Sequence, residues 1–210
     1  MTLLRQLFYV LLIRPLLVII LGLRVQHLER LNIAPNTIIA ANHNSHLDAL
    51  VLMSLIKFRD IPKVKLVAAK DYFCKTSLRA WFSLNIIGII PLDRSGAQDD
   101  PLLPIEEAID QGYSVILFPE GTRGEPEKRK RLKLGIAKIV EEKPEISVIP
   151  VFLHGLGKSL PRGECLLVPM MCDVDIGAPI TWNEDRRGFV KNIDRSFDLL
   201  RAEVAPKDWT

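Results

Sequence analysis

The sequence has few cysteines, few aromatic residues and almost no excess charge of either sign. Its three cysteines, Cys74, Cys165 and Cys172, are too few and too scattered for a disulfide framework or zinc fingers, so we expect buried or half-buried thiols in a reducing compartment. Aromatic residues make up 7% of the 210 positions, hydrophobic residues 48%, and the formal net charge is +3. These values exclude a disordered chain, a fibrous repeat and a strongly basic nucleic-acid binder. They fit one globular domain with at most a small appendage.

The net charge comes from an apolar N-terminal segment, residues 1–30. This segment contains one acid and the four arginines Arg5, Arg14, Arg24 and Arg30, so the rest of the chain carries as many acids as bases. It lacks the small-residue cleavage site of a secretory signal. Its uncharged runs, residues 6–13 and 15–23, are shorter than the ~20 residues that a membrane-spanning helix needs. A spanning helix is therefore disfavoured, also because a central arginine costs ~3 kcal/mol on insertion scales.

Two other interpretations of residues 1–30 stay open. The favoured one is a bent or two-part helix in the membrane interface, because Pro15 removes a helix hydrogen bond and the arginines can reach phosphate head groups. The alternative is an amphipathic helix packed on the protein's own core. We predict a membrane-associating helical segment over residues 1–30, followed by a globular domain over residues 31–210.

After residue 30, short apolar runs alternate with helical patterns. Strands are predicted at residues 37–41, 64–69, 86–90, 113–118 and 146–153, with one or two more in 165–176. Helices are predicted at residues 47–58, 77–84, 101–111, 132–142 and 189–204. This alternation predicts an α/β fold with a mixed, largely parallel sheet covered by helices. In such sheets, functional sites lie in the loops that follow the strands.

A polar segment, Asn-His-Asn-Ser-His-Leu-Asp at residues 42–48, follows the first predicted strand. His43 and Asp48 are five residues apart across the turn into a helix, so the carboxylate can reach one imidazole nitrogen and leave the other free as a base. Ser45 fits a helix N-cap, which occupies its hydroxyl. Two alternatives stay open, namely a metal site that includes His46 and a purely capping role for these polar side chains.

Two further loops carry groups that suit phosphate recognition. Arg94 follows one predicted strand, and its fork of N–H donors can bind a phosphate bidentately. Phe-Pro-Glu-Gly-Thr-Arg follows another strand, where Gly121 allows an anion to approach the backbone and Thr122 and Arg123 add polar partners. Glu120 could hold a substrate hydroxyl or orient an arginine. With the His–Asp pair, these loops indicate a hydroxyl that is deprotonated beside a bound phosphate, although a surface ion pair and an ordinary turn are alternatives.

Residues 42–48, 88–94, 118–123 and 148–151 resemble, in order and spacing, the four motifs of the glycerophospholipid acyltransferases. The closest type is the bacterial 1-acyl-sn-glycerol-3-phosphate acyltransferase of the PlsC kind. The resemblance runs from about residue 36 to residue 155. The second motif departs from the usual pattern, since Pro91 stands where an aromatic residue is common. The segment His154 to Lys158 belongs to none of the four motifs.

The resemblance implies transfer of a fatty acyl group from acyl-CoA or acyl-ACP to the free hydroxyl of lysophosphatidic acid, which gives phosphatidic acid in phospholipid synthesis. It makes His43 the general base, oriented by Asp48, with no covalent acyl-enzyme. It implies that Arg94 and Arg123 hold the acceptor phosphate and that the Glu-Gly-Thr stretch before Arg123 also binds substrate. It further implies association with phospholipids at the cytoplasmic face of the inner membrane, and neither a metal nor another cofactor.

Other functions remain open at this point. The acceptor could be another lysophospholipid or an amino-acid lipid. A protein of a different class, a non-catalytic peripheral module that binds anionic lipid, would share the apolar N-terminus, and a metal-dependent hydrolase would share the histidines. Residues 57–79 carry seven bases and two acids, and residues 128–133 carry five bases. We expect these stretches to face anionic lipid or the acidic surface of a carrier protein, unless they are simply a solvated face.

Overall fold

The computed structural model describes residues 2–93, 100–160, 168–183 and 185–204. Within these ranges, seven strands form one sheet in the order β1-β7-β6-β2-β5-β3-β4. The strands are β1 (Gly22–Gln26), β2 (Thr37–Ala41), β3 (Val64–Ala69), β4 (Ile89–Leu92), β5 (Ser114–Leu117), β6 (Ser147–His154) and β7 (Met171–Ile176).

The sheet is mixed and largely parallel. Strands β2 to β6 all pair in parallel, whereas β7 runs antiparallel to β6 and β1 runs parallel to β7. The carboxyl ends of β2, β3, β4, β5 and β6 therefore meet at one edge of the sheet. The predicted α/β fold with a mixed, largely parallel sheet is confirmed.

Helices cover both faces of the sheet. The α-helices outside the N-terminal segment are Leu47–Leu55, Lys70–Phe73, Ser77–Phe82, Leu103–Asp110, Gly135–Glu142, Leu156–Ser159 and Arg186–Val204. Successive residues of β2 face two separate cores, because Ile39 and Ala41 belong to one hydrophobic cluster and Ile38 and Ala40 to the other. The first cluster includes apolar residues of the N-terminal helix, and the second includes those of the long C-terminal helix.

The N-terminal helix runs without a break from Thr2 to Ile20, with a π-helical stretch over Phe8–Ile13. The interruption predicted at Pro15 is absent from this part of the structure, because Pro15 lies in the first turn after the π-helical stretch, where its missing N–H is tolerated. By length and composition, this helix is able to cross a membrane. Its most apolar 18-residue stretch has a mean hydropathy of 2.0, and 22% of that stretch is buried inside the protein. The predicted N-terminal apolar helix is confirmed.

The two arginines of this helix bind backbone carbonyls of the fold, whereas the sequence predicts that they reach phosphate head groups. Arg5 is only 4% exposed, and its guanidinium donates a hydrogen bond to the carbonyl of Val64 at 2.6 Å. Arg14 donates to the carbonyls of Ser54 and Ile56 at the end of the helix Leu47–Leu55. Both guanidinium groups therefore bind the protein's own backbone, which satisfies carbonyls that would otherwise be left at strand and helix ends.

The other two arginines of residues 1–30 also bind the protein itself. Arg24 pairs with Asp173 across β1 and β7 at 2.5 Å, and Arg30 donates to the carbonyl of Ile176 at 3.0 Å. The expectation that the arginines reach head groups is wrong for Arg5, which is buried in the fold, and all four guanidinium groups bind acceptors of the protein itself. One face of the N-terminal helix packs on the core, as the alternative interpretation held, while the opposite apolar face remains exposed.

The strand predicted at residues 86–90 starts three residues later than expected. Residues Ser83–Ile87 continue the preceding helix as a π-helical stretch, and Gly88, with φ +80°, turns the chain into β4. A side chain at Gly88 would collide with the guanidinium of Arg5, 2.2 Å away. Pro91 lies inside β4, where a proline is tolerated because β4 is an edge strand.

Candidate active site

The imidazole of His43 is held by Asp48 at the carboxyl edge of the sheet. The Nδ1 atom of His43 lies 2.9 Å from Oδ2 of Asp48, and this same oxygen accepts the backbone N–H groups of Asn44 at 2.7 Å and Ser45 at 2.8 Å. An acceptor-only carboxylate requires Nδ1 to carry the hydrogen, so Nε2 is the unprotonated nitrogen of the neutral ring. The Asp48 side chain is 1% exposed and that of His43 is 18% exposed, so the carboxylate is buried behind an accessible base.

The turn that carries this pair is fixed to both neighbouring elements. The Asn42 side chain donates to the carbonyl of Leu153 at 2.9 Å and accepts its N–H at 2.7 Å, which extends the β2–β6 pairing past the end of β2. The Ser45 hydroxyl accepts the N–H of Leu47 and donates to the carbonyl of Leu160. The hydroxyl is occupied, as predicted, but Ser45 is not the N-cap, since His46 holds that position before the helix Leu47–Leu55.

Phe118 and Glu120 support His43 from the loop after β5. The ring of Phe118 stacks on the imidazole with centroids 4.0 Å apart and an interplanar angle of 17°. One carboxylate oxygen of Glu120 accepts the N–H of His43 at 2.9 Å and the other accepts the N–H of Lys130 at 2.8 Å. Burial raises the pKa of Glu120, while these two N–H groups and His43 act against that rise. Phe118 is not among the site residues predicted from sequence, although its position at the end of a strand that leads into a polar loop was a usable signal.

The loop after Glu120 forms part of the wall of a cavity beside His43. Gly121, Thr122 and Arg123 all line this cavity, and its volume is about 600 Å³. Lys130 donates from Nζ to the Thr122 hydroxyl at 3.1 Å and to the Arg123 carbonyl at 2.9 Å, which holds the loop in its curve. The structure thus brings His43 and three of the predicted binding residues to one cavity. Arg94 lies outside the described residues.

Most of the residues that line the cavity are apolar, and the polar ones are fewer. This volume is about that of a small-molecule site, which combines apolar walls with a few placed polar groups. Asp71, Tyr72, Asp93, Lys133 and the two histidines of the 42–48 turn supply polar groups. Its apolar lining comes mainly from β3, β4, β5 and the segments next to them, and includes Leu66, Val67, Ala68, Ala69, Leu92, Leu102, Ile105, Leu117 and Ile136.

His46, which the metal alternative requires, has a different environment from His43. Its ring stacks on Tyr72 with centroids 5.3 Å apart. Burial lowers the pKa of His46, and the charges of Arg123 and His43 lower it further. Within the described part of the chain, the group of side chains close enough to share an ion is instead His27, Asp175 and Glu203. These contacts favour the interpretation of His43 and Asp48 as a base and its partner.

The segment that the sequence left unassigned, His154 to Lys158, joins the two site loops. The Nδ1 atom of His154 lies 2.5 Å from a carboxylate oxygen of Glu127, and the other oxygen of Glu127 accepts the N–H of Gly155. Burial alone would raise the pKa of Glu127, but the bond and charge of His154 outweigh it, so the pKa lies below its usual value. Gly157 lies against Pro126 and Asn44, so this short helix contacts both the 42–48 turn and the 121–131 loop.

The described thiols agree with the expectation of buried or half-buried cysteines. Cys74 is half-buried and Cys172 is buried, and neither forms a disulfide with another described residue. Burial raises the pKa of Cys172 to about 12, so this thiol stays protonated at neutral pH. Cys165 lies outside the described residues.

A model of the acyltransferase family matches residues 22–154, more than half of the chain, and the chain belongs to this family. The resemblance noted from the four sequence motifs is thereby confirmed at the level of the family.

Two relatives of this chain are named as 1-acyl-sn-glycerol-3-phosphate acyltransferases. The chain is 34% identical over 126 residues to the chloroplastic 1-acyl-sn-glycerol-3-phosphate acyltransferase LPAT1 of Arabidopsis thaliana, which covers 59% of this chain and 33% of that protein. It is 32% identical over 125 residues to the chloroplastic 1-acyl-sn-glycerol-3-phosphate acyltransferase BAT2 of Brassica napus, with 59% and 34% covered. The chain therefore matches about a third of the length of these curated relatives.

A solved structure shares the fold. The crystal structure of the 1-acyl-sn-glycerophosphate acyltransferase PlsC from Thermotoga maritima superposes with a TM-score of 0.73 and covers 88% of this chain and 73% of that one. The sequence identity is 19%, so this likeness bears on the fold alone.

Proposed function

We propose that this acyltransferase moves a fatty acyl group from acyl-CoA or acyl-ACP to the free hydroxyl of lysophosphatidic acid, giving phosphatidic acid. The observation that carries the proposal is the His43–Asp48 pair, 2.9 Å apart, at the wall of a cavity that also presents Thr122 and Arg123. The two plant relatives are named for this reaction.

In the proposed mechanism, Nε2 of His43 takes the proton from the acceptor hydroxyl. The oxygen attacks the thioester carbonyl, and the resulting tetrahedral intermediate collapses with cleavage of the C–S bond. The departing thiolate takes the proton back from the imidazolium, so the products are the acylated lipid and the free thiol. Asp48 stabilises the imidazolium between these two steps, and no acyl-enzyme forms.

Arg123, together with Arg94, is proposed to hold the acceptor phosphate. Holding the phosphate places the hydroxyl next to His43, and such placement supplies a large part of the rate enhancement of a two-substrate reaction. Glu120, Gly121 and Thr122 complete the substrate-binding loop. Because both oxygens of Glu120 accept backbone N–H groups, we assign it the task of shaping this loop rather than of contacting the acceptor.

The proposed location is the cytoplasmic face of a membrane, with the helix Thr2–Ile20 as the membrane-associating segment. The boundary predicted at residue 30 moves to the end of this helix, because β1 (Gly22–Gln26) belongs to the sheet of the acyltransferase domain. The N-terminal helix supports this location because it exposes a row of large apolar side chains, namely Leu3, Leu4, Leu7, Leu11, Leu12, Leu16, Val18 and Ile19. An acceptor that resides in the bilayer would then meet the enzyme at its surface.

The test is a donor–acceptor matrix on purified protein, read by lipid mass spectrometry. Acyl-CoA and acyl-ACP are each combined with lysophosphatidic acid, other lysophospholipids and an amino-acid lipid. We expect transfer to lysophosphatidic acid, and replacement of His43 by Ala should lower it about 10³-fold, the usual contribution of a general base.

His27→Ala is the matched control for His43→Ala. His27 also pairs with a buried aspartate, Asp175, at 2.7 Å, but it does not line the cavity. It should therefore retain transfer activity. Near-normal turnover in His43→Ala would show that His43 is not the general base. Transfer only to a different lipid would show that lysophosphatidic acid is not the acceptor. Lipid binding without transfer would favour the non-catalytic module.

A further inference from the structure

Lys133 differs from Lys128 and Lys130 in the same basic stretch, residues 128–133, in the partners of its ammonium group. Lys128 pairs with Glu125 at 2.7 Å, and Lys130 is bound to the Thr122 hydroxyl and the Arg123 carbonyl. For Lys133, the described residues provide neither an ion pair nor a side-chain hydrogen bond. An ammonium group that has no partner among the described residues and lies at the wall of a substrate cavity is available to a ligand.

The backbone of the loop after β5 holds Lys133 at the wall of the cavity. The N–H of Lys133 donates to the carbonyl of Pro119 at 2.9 Å, which ties the start of this stretch to the loop after β5. The side chain then crosses over Gly121, where an added methyl group would lie 2.8 Å from Nζ and 2.9 Å from Cε. The absence of a side chain at Gly121 is therefore what allows the ammonium to lie over the loop.

The position of Lys133 identifies the kind of group it can bind. Lys133 lines the same cavity as His43, Thr122 and Arg123. In lysophosphatidic acid, the phosphate and the reacting hydroxyl belong to the same glycerol, so a phosphate held near this loop keeps the hydroxyl near the base. In acyl-CoA, the 3′-phosphate is also a monoester, but it lies at the far end of the molecule from the thioester.

We propose that Lys133 binds the phosphate monoester of the acyl acceptor, as a cation that acts beside Arg123 and sets the preference for a phosphorylated acceptor. This proposal rests on the proposed function of the same site. A point charge on a flexible stem complements the fixed fork of an arginine, because it can follow the phosphate as the acceptor moves into place.

The test compares Lys133→Ala and Lys133→Arg with Lys128→Ala. Lys128 is the matched control, since it belongs to the same basic stretch but does not line the cavity. We expect Lys133→Ala to raise the KM for lysophosphatidic acid about tenfold or more, with a smaller change in kcat and no change in the KM for acyl-CoA. Lys133→Arg should restore most of the loss, and Lys128→Ala should behave as the unaltered protein does.

Glycerol 3-phosphate supplies a readout that does not depend on catalysis. Its binding to the unaltered protein, measured by calorimetry, should weaken by a similar factor in Lys133→Ala. If the protein binds glycerol 3-phosphate but transfers no acyl group to lysophosphatidic acid, the proposed function fails while the role of Lys133 stands. Unchanged binding and an unchanged KM for the acceptor would overturn the role of Lys133. A raised KM for acyl-CoA that vanishes with a dephospho-CoA thioester would also overturn it, because it would assign Lys133 to the donor.

Discussion

Gly121 is needed both for its backbone conformation and for the space above its α-carbon. The backbone has φ +76°, a conformation that costs a residue with a side chain roughly 1–2 kcal/mol. The space above the α-carbon is filled by the side chain of Lys133. A single substitution at Gly121 therefore both strains the backbone and displaces the ammonium of Lys133 from the cavity wall.

Gly121→Ala tests these two effects against Gly112→Ala. Gly112 has a similar φ of +82°, but no other atom lies within 4 Å of the added methyl group. We expect both variants to lose about 1–2 kcal/mol of unfolding free energy, measured by denaturant titration. We expect a large loss of acyl transfer for Gly121→Ala alone. Equal activities in the two variants would contradict a specific role of the open space at Gly121.

The residues around His43 illustrate the same dependence on backbone groups. Asp48 binds two N–H groups of its own turn, and Glu120 connects that turn to the 121–131 loop through the N–H groups of His43 and Lys130. The base is therefore positioned by carboxylates that hold the backbone as well as the imidazole, and this limits how far the ring can move.

Among the elements, the N-terminal helix and the helix Leu47–Leu55 are joined by Arg14. The guanidinium donates to the carbonyls of Ser54 and Ile56, which lie at the carboxyl end of the second helix, where carbonyls lack partners within the helix. The other end of that helix carries Asp48. A positive charge at a helix carboxyl end also complements the helix dipole.

Arg14→Met should therefore lower the unfolding free energy by about 1–3 kcal/mol, because it leaves two partly buried carbonyls without donors. Thermal unfolding measures the effect. Arg24→Met is the matched control, since Arg24 pairs with Asp173 but is 58% exposed, and surface pairs contribute ~1 kcal/mol or less. A loss no greater than that of the control would mean that Arg14 does not support the helix.

The short helix Leu156–Ser159 has a comparable connecting role. Residues at or next to this helix bind or touch the 42–48 turn on one side and the 121–131 loop on the other, through the Ser45–Leu160 and His154–Glu127 contacts. Since both loops border the cavity, this element sets their spacing. It belongs to the site although none of its residues lines the cavity.

For the whole molecule, two helical segments that meet at the Phe8–Phe82 ring contact expose large apolar side chains to the solvent. The N-terminal helix exposes Val18 at 71% and Ile19 at 82%, and the helical segment from Ser77 to Ile87 exposes further large apolar side chains, Leu78, Trp81, Phe82 and Leu84. Exposed bases lie in and near the second segment, namely Lys57, Arg59, Lys70, Lys75 and Arg79. An apolar surface with basic residues nearby is typical of proteins that bind an anionic membrane surface.

Replacing both Val18 and Ile19 by Ser should weaken binding to anionic vesicles about tenfold or more, because two apolar side chains lose their transfer into lipid. Vesicle flotation, with and without anionic lipid, is the measurement. Leu199→Ser is the matched control, as Leu199 is 61% exposed on the C-terminal helix. Equal flotation of the double variant and the unaltered protein would contradict the membrane role of this face, and indifference to lipid charge would remove the role of the bases.

Much of this organisation could be predicted from sequence because it depends on short spacings. The short apolar runs at residues 37–41 and 64–69 and the five-residue spacing of His43 and Asp48 are local properties. The structure contains both strands and the hydrogen-bonded pair. The start of β4 was predicted wrongly because an apolar run fits a strand and a buried helix equally well, and only the contact of Gly88 with Arg5 marks where the chain turns.

By itself, the sequence determined the fold class, the loops that carry polar chemistry and the apolar character of the N-terminus, since each follows from residue type and periodicity within a few positions. The tertiary structure decided the order of the strands, the stacking of Phe118 on His43 and the backbone bonds of Glu120. It also directed Arg5 and Arg14 to carbonyls of the fold instead of to lipid. These contacts join residues that are far apart in the sequence. Arg14 and Ser54 are 40 positions apart, and His43 and Glu120 are 77 positions apart. Contacts over such separations arise only when the packed sheet brings together groups whose buried hydrogen bonds must all be satisfied.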